Sequence, residues 1–151
     1  MMKIEKILFP TDFSKGSENA VLYAIDLAKQ YDATLFVIHV VYDLIQATGW
    51  DVPHLPLEQL DKDLTASSEQ QLEKFCEEAI RGVEKVEKRT IMGVPHQEIV
   101  QFAEDEKIDL VVIGTHGRTG LDRVFFGSTA ERVVRMAPCP VLSVRIPLHR
   151  K

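Results

Sequence analysis

Asp109-Leu110-Val111-Val112-Ile113-Gly114, followed by Thr115-His116-Gly117-Arg118-Thr119-Gly120, is the stretch on which the fold turns. Four consecutive apolar residues without polar alternation predict a short strand covered on both faces, the pattern of a parallel sheet between helices. The glycine-rich segment ends that strand abruptly. Farther on, Gly127-Ser128-Thr129 opens a helix whose apolar positions Ala130, Val133, Val134 and Ala137 predict its buried stripe. Pro138-Cys139-Pro140 ends that helix and leads to a last strand over residues 141–144.

Working outward, the same alternation recurs. Residues 4–9 predict a first strand that Pro10 stops, and Ser14 or Ser17 can cap a helix with Val21, Ala24, Ile25, Leu27 and Ala28 at helical spacing. Residues 33–41 predict a second, fully covered strand. Residues 42–64 break the rhythm with Gly49, Trp50, Pro53 and Pro56, and predict a long loop or a loosely helical excursion. A helix follows from Leu64, with Leu72, Phe75, Cys76, Ala79, Ile80 and Val83 on one stripe. Residues 86–92 predict a weaker strand at an edge, and Pro95 starts a helix that buries Ile99, Val100 and Ala103. The order βαβαβαβαβ predicts an α/β fold: an open five-stranded parallel sheet, helices on both faces, right-handed crossovers. Ligands of such sheets sit beyond the carboxyl ends of the strands, at a topological switch point.

Composition bounds the function. At 151 residues, 45% apolar and 27% charged, the chain has the size and make-up of one globular domain spanning 1–151, without repeat or linker. Apolar runs are a few residues long, against about 20 needed to cross a bilayer. The start of the chain shows no apolar signal core, so the expectation is a cytoplasmic protein. Cys76 and Cys139 are too few for a disulfide framework and lack metal spacing. A net charge of -5 argues against nucleic acid as a partner. Residues 115–151 nevertheless carry 7 Lys/Arg against 2 Asp/Glu. That asymmetry fits either an anion-binding half or a long acidic helix in the other half.

The chemistry concentrates after the fourth strand. Glycines let a ligand approach the backbone, and a helix N-terminus offers unpaired N–H groups and partial positive charge to phosphate. Ser128 and Thr129 add hydroxyls there, and Arg118 and Arg123 add charge. The segment lacks the lysine of a Walker A loop. The first strand is followed by Pro10-Thr11-Asp12-Phe13-Ser14 rather than a dinucleotide glycine pattern. Taken alone, three glycines after a strand fit a structural turn as well as a ligand loop.

The full pattern Gly114-x2-Gly117-x9-Gly127-Ser128 resembles the signature of the ATP-binding branch of the universal stress protein family. So do four further segments, in the family's order: Ile7-Leu8-Phe9-Pro10-Thr11-Asp12-Phe13-Ser14, Phe36-Val37-Ile38-His39-Val40, Gly93-Val94-Pro95 and Ala137-Pro138-Cys139-Pro140-Val141-Leu142. The resemblance implies a Rossmann-like sheet in strand order 3-2-1-4-5, switching between strands one and four, and ATP with Mg or Mn as cofactor. By the same resemblance Pro10 and Thr11 shape the adenine side and Val40 offers its backbone to the adenine edge. Asp12 faces the ribose or a phosphate-bound divalent ion. Gly114, His116, Gly117 and Arg118 wrap the phosphates, Gly127, Ser128 and Thr129 close the cradle, and Ile113 belongs to the same nucleotide-binding set. A homodimer through edge strand 141–144 is also implied.

Plainer roles compete residue by residue. Asp12 fits a turn or cap as well as a ligand. His116 reads as a loop histidine on phosphate or backbone, without a partner that would make it a general base. His39 reads as a satisfied core histidine, and Cys76 and Cys139 as packing. Trp50 and His54 fit a lid or a solvated or dimer-contacting loop, and Phe125-Phe126 fit core or interface. The leading functional expectation is a nucleotide-dependent switch or sensor in stress response, its occupancy ordering residues 115–127 for a protein partner. Slow ATP hydrolysis or phosphoryl or adenylyl transfer is the alternative, and a dimeric interaction module without nucleotide a further one. Among nucleotides, ATP, ADP and AMP stay open.

Overall fold

A computed structural model describes residues 2–42, 57–115 and 127–146, with residues 57–61 described by backbone alone. Strands β1 (Lys6–Pro10), β2 (Thr34–Tyr42), β3 (Val86–Gly93), β4 (Leu110–Gly114) and β5 (Val141–Val144) form one sheet in the order β3-β2-β1-β4-β5. Every pairing is parallel. Helices α1 (Lys15–Tyr31), α2 (Leu57–Ala79), α3 (Pro95–Asp105) and α4 (Ser128–Met136) make the crossovers. The α/β class, strand order and alternation expected from the sequence are all present.

Side-chain alternation splits the core into two layers. Ile7 and Phe9 of β1, Leu35 and Val37 of β2 and Val112 of β4 face α1 and α2, meeting Ala20, Val21, Ala24 and Ala28, then Leu72 and Cys76. Leu8, Phe36, Ile38, Val111 and Ile113 face α3 and α4, meeting Ile99, Ala103, Ala130 and Val133. The middle of each central strand, residues 7–9, 35–38 and 111–113, is therefore apolar at every position. Right-handed crossovers require this arrangement, because the chain builds outward from β1 to β3, then returns past β1 to build the other half.

Ser14 is the N-cap of α1, accepting from Ser17 N at 3.2 Å, while Ser17 itself is buried. At the far end of the sheet Asp109 Oδ2 accepts from the amides of Glu5 and Lys6 at 2.9 and 3.0 Å, tying the start of β1 to β4.

Two expectations need correction. Helix α2 begins at Leu57 rather than at Leu64, within the stretch read as a long loop or a loosely helical excursion. Residues 43–56, including Trp50 and His54, lie outside the described residues. Val134 was expected in the buried stripe of α4 but is 47% exposed. That helix packs over the sheet's β5 end and against α3, so only a narrow face, Ala130 and Val133, is covered. No described helix is long and apolar enough to cross a membrane.

Candidate functional site

The chain leaves β1 toward one side of the sheet and leaves β4 toward the other, so the carboxyl ends of these neighbours diverge and open a cleft. Its volume is about 650 Å³, within the roughly 300–1,000 Å³ usual for small-molecule sites. Pro10, Thr11 and Asp12 line it from the end of β1, Val40 from β2, and Ile113 and Gly114 from β4. Gly127, Ser128 and Thr129 line it from the start of α4. Nine of the twelve residues expected at a nucleotide site are thus brought together. The other three, His116, Gly117 and Arg118, lie outside the described residues, as do Arg123, Phe125 and Phe126.

The β1–α1 connection is held by a compact set of hydrogen bonds. Thr11 N extends the β1–β2 pairing by donating to Ile38 O at 2.8 Å. Thr11 Oγ1 lies 2.5 Å from Ser17 Oγ and accepts from Phe13 N at 3.0 Å. Asp12 Oδ1 accepts from Ser14 N at 3.0 Å, an Asx turn that both orients the carboxylate and leads into the cap of α1. The turn role and the cleft position of Asp12 therefore coexist.

On the opposite wall, Thr115 is buried and its N–H and hydroxyl both donate to Val144 O, at 3.0 and 3.3 Å. Its own carbonyl accepts from Gly127 N at 2.5 Å. That bond joins the end of β4 directly to the start of α4. Helix α4 then starts without a side-chain cap on Gly127, so the N–H groups of its first turn have no intrahelical acceptor. Ser128 and Thr129 stand beside them on the cleft wall. First-turn N–H groups without intrahelical acceptors, a helix dipole and two hydroxyls give this wall the donor chemistry that suits an anion.

Several lining residues were not anticipated. Pro10 pairs with Ile38, so β2 runs past the end of β1 and His39, Val41 and Tyr42 project alongside Val40. His39 is buried with Nδ1 2.8 Å from Thr11 O, as a satisfied core histidine should be, yet it also lines the cleft. Leu64 and Ser68 of α2 and Pro95 and Ile99 of α3 complete the walls. The length of the second strand past residue 38 is the signal that could have found His39. Beside Pro95, His96 has its pKa lowered by burial and then by Arg132. Burial pushes the Cys76 thiol up to about 11, with Lys88 opposing and Glu73 adding, which suits a packing residue. Burial also raises Cys139, with Asp109 adding and a Val111 backbone hydrogen bond opposing.

Among the described residues no group of three or more His, Cys, Asp or Glu could hold a metal. Asp12 is the one carboxylate among the described lining residues. One carboxylate suffices for Mg where a bound substrate's phosphates supply other ligands.

Similarity to known proteins agrees with this architecture. The chain is 41% identical to Universal stress protein MJ0531 of Methanocaldococcus jannaschii, over 95% of this chain and 83% of that one. It is 31% identical to Universal stress protein MJ0577 of the same organism, over 93% and 94%. The solved structure of MJ0577 superposes with a TM-score of 0.84, covering 98% of this chain and all of that one. A universal stress protein family protein from Arabidopsis thaliana, solved with AMP bound, shares the fold at 18% identity and a TM-score of 0.60, covering 93% and 91%. The model of the universal stress protein family matches residues 3–145, and with nearly the whole fold inside that match the chain belongs to this family.

Proposed function

We propose that the protein binds an adenine nucleotide in the β1/β4 cleft and that a partner reads the occupancy, making it a nucleotide-dependent switch in stress response. The observation that carries this reading is the uncapped start of α4, which opens with Ser128 and Thr129 onto a nucleotide-sized cleft. In the proposed mode Pro10, Thr11 and Val40 border the adenine and Asp12 meets the ribose or the Mg or Mn carried by the phosphates. Ile113, Gly114, Gly127, Ser128 and Thr129 surround the phosphates, joined by His116, Gly117 and Arg118. Similarity to MJ0577 over nearly the full length supports the family setting. AMP on the Arabidopsis protein supports the fold as a frame for adenine nucleotide.

A homodimer through β5 belongs to the same proposal. The outer strand β3 carries Glu87, Lys88 and Arg89, and Lys88 Nζ bonds Glu73 Oε1 at 2.5 Å, a charged edge that resists pairing. The opposite edge, Val141-Leu142-Ser143-Val144, carries no charge, and Leu142 is 36% exposed.

Denaturing the purified protein and chromatographing what it releases tests the reading, followed by titration with Mg-ATP, ADP and AMP. Nucleotide near one per chain, lost in Gly117→Val, is expected. No released nucleotide and no binding of any of the three would overturn it.

A further inference from the structure

One buried side chain holds the residues on both sides of Asp12. His39 is 4% exposed and lines the cleft. Its Nδ1 is 2.8 Å from the Thr11 carbonyl oxygen. A carbonyl oxygen only accepts, so Nδ1 carries the proton and donates. The same ring packs on Phe13, with centroids 4.4 Å apart and planes at 33°. Thr11 precedes Asp12 and Phe13 follows it.

Phe13 needs such a hold. Its φ is +64°, a conformation that a bulky residue keeps only where its surroundings impose it. Its ring is enclosed by His39 on one side and by Phe75 of α2 at 5.9 Å, edge to face. The Asx turn from Asp12 Oδ1 to Ser14 N shapes the loop locally. The Thr11 N bond to Ile38 O ties the loop to β2 ahead of Asp12, and the His39 bond and ring contact add a hold from β2 on both sides of it.

We infer that His39 is a positioning residue for Asp12: by holding the Thr11 carbonyl and the Phe13 ring it sets where the carboxylate stands in the cleft. The inference rests on the nucleotide reading above for its ligand, the ribose or metal-bound phosphate end. A histidine that served only the core would lose stability in its variants and leave affinity unchanged. A positioning histidine also changes affinity, and only while Asp12 is present.

Two variants separate these roles. His39→Phe keeps a ring and loses the donor, whereas His39→Asn keeps a donor at the reach of Nδ1 and loses the ring. Each is made with and without Asp12→Ala. Mg-ATP affinity is measured by calorimetry, folding by thermal melting, and the Thr11 to Ser14 amides by nitrogen-15 NMR of nucleotide-free protein. His39→Phe should lower Tm, because the Thr11 carbonyl loses its buried donor, and should weaken Mg-ATP about tenfold, a coupling within the range found between neighbouring residues. In the Asp12→Ala background the same change should cost nothing further, because coupled residues are not additive. Should His39→Phe fail to fold, His39→Asn carries the same cycle. Equal losses with and without Asp12, or unchanged affinity with unmoved amides, would overturn the inference. If the parent protein binds no nucleotide, the functional reading fails but the amides still decide. Displaced 12–14 signals in the His39 variants support positioning, and unmoved signals refute it.

Discussion

Gly114→Ala tests why a glycine ends β4. A Cβ built there would lie 2.8 Å from the Gly16 carbonyl oxygen, 2.9 Å from its carbon and 3.3 Å from Ser17 N. All three are backbone atoms of the first turn of α1, so no rotamer change relieves the contact. Reaching an ordinary contact of 3.4 Å requires a shift of 0.6 Å, the difference from 2.8 Å. That shift pulls against the Ser14–Ser17 cap, the Thr11–Ser17 contact and the Asn19 Nδ2 bond to Arg145 O. Overpacking of this kind costs about 1–3 kcal/mol. At about 2 kcal/mol, and some 2–4 °C per kcal/mol for this chain length, Tm should fall by about 4–8 °C.

Differential scanning calorimetry of nucleotide-free protein reads this directly. Gly82→Ala is the control: its Cβ meets only the flexible end of Lys29, but its φ is +80°. It should lose about 1 kcal/mol through backbone strain and keep nucleotide affinity. If Gly114 were glycine only to admit phosphate, Gly114→Ala would weaken nucleotide binding at unchanged Tm. That outcome would refute the packing argument.

Other perturbations separate binding from folding. Thr129→Glu puts a carboxylate at the start of α4, where it favours the helix by about 0.3–1 kcal/mol. It should also repel phosphate by about 3 kcal/mol at ~5 Å and an effective dielectric of ~20. Tm should hold or rise while ATP affinity falls about a hundredfold and adenosine affinity much less, as calorimetry would record. The Cys76 thiol, raised from 9.0 to about 11 by burial, stays protonated in the fold where the unfolded chain ionises. The unfolded state then binds fewer protons, so stability should fall from pH 9 toward 11. Cys76→Ala should flatten that slope in denaturant titrations. Leu142→Lys, a charge on the uncharged edge of β5, should convert a dimer to monomer by light scattering. An unchanged mass would remove β5 as the interface.

The fold was legible because burial on both faces leaves a plain mark. Phe36-Val37-Ile38 and Val111-Val112-Ile113 are apolar at every position since each successive residue meets a different helix layer. The start of α2 was obscured although its period is present: Leu57, Leu60 and Leu64 keep helical spacing. Pro53 and Pro56 weight that window toward loop, yet a proline just ahead of a helix is compatible with its start. His39 was half legible. Its satisfied burial follows from its place inside an apolar strand, but its presence in the cleft follows from register, because β2 outruns β1 after Ile38. Register is a relation between two strands, and no local pattern in either one carries it.

Gly114 shows the same limit from the other side. A glycine after a buried strand says that something approaches the backbone too closely for a Cβ. It does not say what. The sequence suggested phosphate; the structure places the Gly16 carbonyl of α1 there, with the cleft on an adjoining side. The two readings are linked, because seating α1 against β4 is what brings Ser17 and the Asp12 turn to the rim of the cleft. The glycine thus bears on the ligand site through the helix it admits. Loss of both stability and affinity in Gly114→Ala, against loss of stability alone in Gly82→Ala, is the pattern this coupling demands.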